Sequence, residues 1–251
     1  MSKPRLSVTI ITLNEEGSIA RAIKSVQKLA DEVVVVDSGS ADKTVQVAKK
    51  LGAKVYTREF PGNFADQKNY AAEKTTGDWI LSLDADEVAE EELVKEINEA
   101  IERDDFDAYL VPRKNYILGK FIKYTRWQPE LDRHVWLWKR GTGEWGGKVH
   151  EEFVSKGKVG KLKAAKRHYQ YETVSEFFEM INSYSSLEAE KRLKEGATLN
   201  YFRLFFEPLY NFSVRYFYRL GFLDGWRGFV LSYLMAIYHF TLWIKIWEAK
   251  K

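Results

Sequence analysis

The feature that most constrains this chain is a set of short, apolar, largely β-branched runs near its start, three of which end in polar clusters. Residues 6–13 (LSVTIITL) close on Asn14, Glu15 and Glu16, residues 33–36 (VVVV) on Asp37, and residues 79–83 (WILSL) on Asp84, Ala85, Asp86 and Glu87. Residues 53–56 give a further strand, while residues 41–51 and 63–75 carry helical patterns. Runs without polar alternation suit parallel strands covered on both faces. Strands alternating with helices of this length predict a right-handed α/β sheet. Ligands of such sheets bind beyond the carboxyl ends of the strands, so the three polar clusters are expected to converge on one edge.

Further along, residues 88–103 read as a charged helix and 108–111 as another strand. Residues 113–160 are irregular, with the Gly-rich stretch GTGEWGG at 141–147 and tryptophans at 127, 136, 138 and 145. That composition predicts loops and short strands covering a site. Residues 173–195 form an amphipathic helical pattern, and from 201 onward the pattern is helical and apolar. No internal repeat or low-complexity linker interrupts the chain, so the boundary near 198 is drawn from composition.

A chain of 251 residues without cysteine excludes a disulfide scaffold, a zinc finger and thiol catalysis. The cytosol is the default compartment, and the start of the chain shows no secretory pattern. The net charge of +3 hides an asymmetry: residues 201–251 carry +4 and the preceding 200 carry −1. The same 51 residues hold 17 of the 37 aromatics. Residues 228–244 lack any charged side chain and are bracketed by Arg227 and Lys245. As a helix that run would be about 25 Å long, short of a hydrocarbon core of roughly 30 Å. Its flanking Trp226, Trp243, Trp247, Arg215 and Arg219 suit helices lying on an anionic membrane surface. A helical cap on the sheet, or an oligomer interface, is the alternative. The modest basic bias coincides with apolar helices rather than a polar groove, which argues against a nucleic-acid partner.

Two carboxylates at i and i+2 where the chain leaves a sheet, Asp84 and Asp86, can hold one hard divalent cation and leave positions for diphosphate oxygens and water. The alternative is that Asp86 caps the helix expected from 88. Asp37 can accept from a ribose hydroxyl or a pyrimidine N3–H, or cap its own turn. Thr12, Asn14 and Glu15 end the first strand in the same manner, where an acid could simply favour the helix dipole. Convergence of all three clusters favours a binding edge over three separate caps.

The segments IITLNEE, VVVVDSGSADKT and QKNYAAEKTTGDWILSLDADE, with their spacing, resemble the nucleotide-sugar half of an inverting family-2 glycosyltransferase of GT-A fold. The downstream stretches RWQPELDRHVWLWKRG, EWGGKVHEEF and GFLDGWRGFVLSYLMAIYHF are similar to bacterial lipopolysaccharide core β-1,4-glucosyltransferases. The resemblance implies a GT-A domain, Rossmann-like with a mostly parallel sheet, over residues 1–198. Its nucleotide-sugar half would span 1–103 and its acceptor half 104–198, followed by a helical membrane-associating tail over 199–251. It places Thr12 and Glu15 beside the uracil and ribose, Asp37 on the nucleoside, and Asp84 and Asp86 between Mg²⁺ or Mn²⁺ and the diphosphate. Lys68 stands where many relatives have Arg and would face the nucleotide as a point charge, a surface lysine being the alternative.

Inverting transfer needs a base for the acceptor hydroxyl proton. Glu151 is the foremost candidate, with Glu87 and Glu130 as competitors, and His150 would orient a neighbour or touch the acceptor. Trp127, Glu130, Arg133 and Trp145 are expected on the acceptor side, where aromatic faces pack on sugars and Arg133 pairs with phosphate; a small core pinning the loops is the alternative for the tryptophans. The expected activity is transfer of a sugar, glucose from UDP-glucose, in β linkage onto a lipid-linked glycan at the inner face of the bacterial plasma membrane. Transfer to a polyprenyl phosphate and a non-catalytic membrane scaffold are the competing readings.

Overall fold

The computed structural model describes residues 4–147 and 151–250. By internal packing they fall into two compact units, the first running to Arg113 and resuming over Asp132–His168, the second comprising Lys114–Leu131 and the chain from Tyr169 onward.

The first unit begins β1 (Leu6–Thr12), α1 (Ile19–Val26), β2 (Glu32–Asp37), α2 (Thr44–Lys50), β3 (Lys54–Thr57), α3 (Phe64–Glu73), β4 (Trp79–Ser82). β1 pairs in parallel with β2 on one side and β4 on the other, and β2 pairs in parallel with β3. The order β3-β2-β1-β4 therefore reverses direction between β1 and β4, which creates a topological switch point at their carboxyl ends. Register places Thr12 opposite Asp37 and Thr9 opposite Ser82. Val8, Ile10, Val34, Val35, Ile80 and Leu81 of β1, β2 and β4 are at most 1% exposed, each worth about 1.5–3 kcal/mol against exposure. At the opposite end of the sheet, Ser7 Oγ donates to Glu32 Oε1 (2.7 Å) and accepts the Gly77 amide (2.9 Å). A side-chain carbon at Gly77 would stand 2.6 Å from Ser7 Oγ, so this close approach needs glycine.

The chain continues through β5 (Glu87–Val88), α4 (Glu91–Arg103) and β6 (Ala108–Ile117). Helix α4 starts three residues later than the sequence pattern implied, and its N-cap is Glu90, so Asp86 does not cap it. β7 (Lys120–Phe121) lies in the second unit and pairs with the end of β6. The stretch expected to be irregular contains β8 (Arg133–Lys139), β9 (Gly143–Gly146), β10 (Glu152–Ser155) and β11 (Val159–Lys161). β8 is a central strand, antiparallel to both β4 and β6. Val135, Trp136, Leu137 and Trp138 are all buried, so the strand lacks the polar alternation that marks a half-buried strand. β9 and β10 form a separate two-stranded hairpin, and β12 (Lys166–Gln170) pairs with β5 through His168 opposite Glu87.

The second unit is helical: α5 (Val174–Lys194), α6 (Tyr201–Ser213), a π-helical turn (Val214–Tyr218), a 3₁₀ turn (Gly221–Asp224) and α7 (Trp226–Glu248). Thr173 and Asn200 cap α5 and α6 through the Glu176 and Arg203 amides. Phe177 and Ile181 of α5 pack with Leu231 and Leu234 of α7, while Ala189 and Leu204 pack with Leu242, Trp243 and Ile246. This shared core groups residues 169–198 with the C-terminal helices. At 23 residues, α7 is longer than the uncharged run within it, about 34 Å by helical rise, and is long and apolar enough to cross a membrane by length and composition.

Candidate active site

The carboxyl ends of β1, β2 and β4 bring their polar clusters to one edge, as the strand pattern predicts. Asp37 accepts the Gly39 and Ser40 amides (3.0 and 2.9 Å) and the Ser40 hydroxyl (2.5 Å). It caps its own turn and anchors the segment leading to α2. Asn14, at φ 55°, donates its backbone amide to Ser40 Oγ (2.8 Å) and accepts the Ala41 amide on its side-chain oxygen (2.8 Å), tying the first two clusters together. Thr12 Oγ1 is buried without a hydrogen-bond partner. Glu15 bonds Ser18; burial raises its pKa, opposed by Ser18 and reinforced by Asp86, Asp42 and Asp84.

Lys68 is buried on α3, only 4% exposed, and is no surface lysine. Its ammonium donates to Glu151 Oε1 at 2.9 Å and stands 3.4 Å from Asp84 Oδ1. The rings of Trp136 and Trp145 flank it, each centroid 4.7 Å away. Burial opposes ionisation of Asp84, but Lys68, Lys166, His168 and Arg113 outweigh it and hold the carboxyl well below the usual carboxylate range. Asp86 Oδ2 lies 3.2 Å from His168 Nε2. Burial disfavours the charged imidazole, and the Asp86 carboxylate offsets this enough to raise the His168 pKa.

Glu87 is fully buried, paired with Lys166 (2.5 Å), and accepts the Asp84 amide at 2.8 Å. It pins the Asp84–Asp86 turn and is committed to that bond and that ion pair rather than facing an acceptor. Lys166 lies 3.4 Å from the Trp136 centroid, and burial pushes its pKa down to about 8 against the pull of Glu87 and Asp84. Arg113 completes the cation set through Asp132 at 2.7 Å.

The donor chemistry at Asp84 and Asp86, an ionised carboxylate beside a second carboxylate and an imidazole, fits a hard divalent cation. Among the described residues no three His, Asp or Glu side chains are grouped to hold an ion by themselves. Two protein carboxylates would leave coordination positions for diphosphate and water.

On the acceptor side, Trp145 is 3% exposed and packed among Trp136, Trp138 and Phe153. Its amide and carbonyl are both held by the Asn69 side chain (2.8 and 2.9 Å). It presents no free face to a sugar and fixes the hairpin, the alternative weighed from sequence. Arg133 opens β8 opposite Pro112, and its Nε is buried without a partner. Trp127 and Glu130 belong to the second unit, Trp127 packed edge-on against Phe177 and Glu130 exposed in a turn. His150 lies outside the described residues.

Sequence reasoning passed over His168, Lys166 and Arg113. The signal for the first two was their i, i+2 spacing in KRHYQ, which places both on one face of a strand. Arg113 sits where the apolar pattern ends, and nothing local distinguishes it.

The model of Glycosyl transferase family 2 matches residues 7–165. An uncharacterized glycosyltransferase of Rickettsia typhi is 33% identical over 97% of this chain and 87% of its own length. The lipopolysaccharide core biosynthesis glycosyltransferase LpsC of Rhizobium meliloti is 31% identical over 97% and 92%. Among solved structures, S. aureus TarS 1–349 in complex with UDP aligns with a TM-score of 0.48 at 18% identity, over 72% of this chain and 64% of that one. Glucosyl-3-phosphoglycerate synthase from Mycobacterium tuberculosis with Mn²⁺ and UDP-glucose aligns at 0.39 and 25%, over 45% and 44%. The chain spans less than two thirds of each of these two structures.

Proposed function

Because this chain belongs to glycosyl transferase family 2, we propose that it transfers glucose from UDP-glucose, with inversion, onto a lipid-linked glycan of the lipopolysaccharide core type. The observation that carries this reading is the meeting of Thr12, Asp37 and Asp84 at the carboxyl edge of β1, β2 and β4, with Lys68 linking Asp84 to Glu151. Thr12 and Asp37 receive the nucleoside, the orphaned Thr12 hydroxyl gaining a partner. Glu15, beside them, borders the ribose. Lys68 sets its charge between the leaving-group side and the base. A divalent cation, Mg²⁺ or Mn²⁺, bound at Asp84 and Asp86 supplies charge neutralisation for the departing diphosphate.

Glu151 takes the proton of the acceptor hydroxyl. The acceptor oxygen then forms its bond to the anomeric carbon as the bond to the diphosphate breaks on the opposite face. One displacement inverts the α-linked donor sugar to a β product, with no covalent enzyme intermediate. Lys68 holds Glu151 in place for that step. Arg133 and His150 remain assigned to acceptor recognition.

The acceptor class is supported by the likeness to LpsC over nearly the whole chain. A peripheral position on the cytoplasmic face of the plasma membrane is supported by the second unit's surface. On α6, Tyr201, Phe202, Phe205, Leu209 and Tyr210 are each 60–70% exposed. The only acids between residues 196 and 247, Glu207 and Asp224, are turned to internal partners: Glu207 bonds His239 and Trp243, and Asp224 accepts the Lys123 and Tyr124 amides. A large aromatic surface bearing only basic charge suits an anionic bilayer interface.

A panel of nucleotide sugars with Mn²⁺, scored for nucleotide release with lipopolysaccharide core or polyprenyl phosphate as acceptor, tests this proposal. UDP-glucose with the core glycan is expected to give the fastest release; release only with polyprenyl phosphate would replace the acceptor.

A further inference from the structure

The second unit buries a cation that the sugar-transfer reading does not use. Arg215, in the π-helical turn, is 8% exposed. Its Nη1 donates to the Thr125 carbonyl at 2.7 Å, and its guanidinium lies 5.0 Å from the Trp127 centroid. Its Nε is buried with no hydrogen-bond partner. Among the described residues no carboxylate pairs with it; burial, with the cation Arg126 adding to it, lowers its pKa to about 10. Burying a charge without an opposite one is costly, and here a second cation is set beside it.

The loop that carries Arg126 is held in an unusual conformation. Thr125 and Arg126 both have positive φ, 62° and 77°, a backbone region that β-branched residues avoid. Asp224 fixes the loop by accepting the Lys123 and Tyr124 amides at 3.1 and 2.9 Å, and the Arg219 carbonyl accepts the Thr125 amide at 3.3 Å. A side-chain carbon at Gly221 would fall 2.5 Å from Thr125 Cγ2 and 2.7 Å from the Arg215 carbonyl, so the 3₁₀ turn presses directly on this loop. Arg219 adds a third guanidinium at the end of the π-helical turn, its Nε also buried without a partner. None of the three forms an ion pair among the described residues, and the neighbouring acid, Asp224, has both oxygens committed to backbone amides.

From these observations we propose that Arg126 and Arg215, supported by Arg219, form a binding site for a phosphate-ester oxyanion. Guanidinium groups match phosphate oxygens through paired N–H donors. The exposed Arg126 and the uncommitted edge of Arg215 supply those donors, while the strained loop keeps them in place before the ligand arrives. The same chemistry is offered by a soluble phosphate ester and by a phospholipid headgroup. The site is independent of the donor edge, so it stands or falls apart from the sugar-transfer reading.

Two arms separate the sources, each using the full-length chain. In the first, thermal melting is followed in inorganic phosphate or glycerol 3-phosphate against chloride at equal ionic strength. In the second, flotation compares vesicles of phosphatidylglycerol with vesicles of phosphatidylcholine. Variants are Arg126→Ala, whose exposed side chain can be removed without opening the core, Arg215→Lys, which keeps charge but loses the fork, and Arg203→Ala as a basic control on α6. A soluble ligand is expected to raise the melting temperature by about 2–4 °C, with that rise lost in Arg126→Ala and reduced in Arg215→Lys. A lipid ligand is expected to give preference for phosphatidylglycerol that falls about fivefold in Arg126→Ala and less in Arg203→Ala. Either pattern supports the site and names its source. Equal effects in Arg126→Ala and Arg203→Ala, or no dependence on Arg126 and Arg215 in both arms, would overturn it.

Discussion

Lys68 Nζ sits 2.9 Å from Glu151 Oε1, joining α3 to a residue 83 positions later in the chain. The same ammonium stands 3.4 Å from Asp84, so one buried cation ties the candidate base to the candidate metal carboxylate. Lys68→Met should therefore affect both. Turnover is expected to drop at least about 100-fold, and stability by about 1–3 kcal/mol, because the two carboxylates it leaves are partly hydrated. Lys68→Arg should recover stability before activity, since a planar fork cannot occupy the position of a point charge. Nucleotide-release assays and thermal melts on the same preparations check the pair of effects.

Asp86→Asn keeps the shape of the strand-end turn and removes one carboxylate. Mn²⁺ binding, followed by water-proton relaxation in the presence of UDP, is expected to weaken by at least about tenfold while circular dichroism is unchanged. Wild-type affinity in the variant would remove the ion from this position.

Glu32 provides a pH dependence that does not involve the site. Burial opposes its ionisation, but Lys54, Ser7 and Thr76 outweigh it and hold the pKa at about 2, below the unfolded value of about 4.3. Its contribution is complete above the unfolded value and is lost as pH falls through the folded one. Stability should thus be level from pH 7 to 5 with respect to this group and decline between about pH 4.5 and 2. Glu32→Gln should lower stability at pH 7 by about 1–3 kcal/mol and flatten that part of the acid limb, measured by urea unfolding across the range.

Much of the first unit was legible because its signals are local. Residues 6–10, 34–36 and 79–83 are buried within the sheet, so their apolar runs appear directly in the sequence. β8 was not legible: its two tryptophans, Arg133 and His134 carry no alternation, and its place between β4 and β6 is a long-range fact. The same reason hid His168, whose relation to Asp86 arises only when β12 pairs with β5. The acidic pair at the β4 end could be found from spacing, while the four cations that compensate it come from three separate elements, α3, β6 and β12. Trp145 illustrates the reverse case, where a tryptophan in a Gly-rich stretch suggested a sugar platform and packing made it a hairpin anchor.

The C-terminal surface leads to a different type of variant. Deleting residues 223–251 would strip α7 from α5 and α6 and is expected to unfold the second unit, so loss of membrane binding by that deletion would carry no information. Phe202→Ser with Phe206→Ser alters exposed positions, 67% and 54% accessible, and should change stability by less than about 1 kcal/mol. Sedimentation with anionic vesicles is expected to fall several-fold in this double variant. Unchanged binding would move the lipid contact elsewhere.

The central claim is inverting transfer from a nucleotide sugar with Glu151 as base. Proton NMR of the reaction of UDP-glucose with a core-glycan acceptor and Mn²⁺ tests it most directly, comparing the wild type with Glu151→Gln. The expected result is a new β-anomeric signal growing in step with UDP, slowed about 10²–10⁴-fold in the variant. An α-linked product, or a variant that turns over at the wild-type rate, would contradict it.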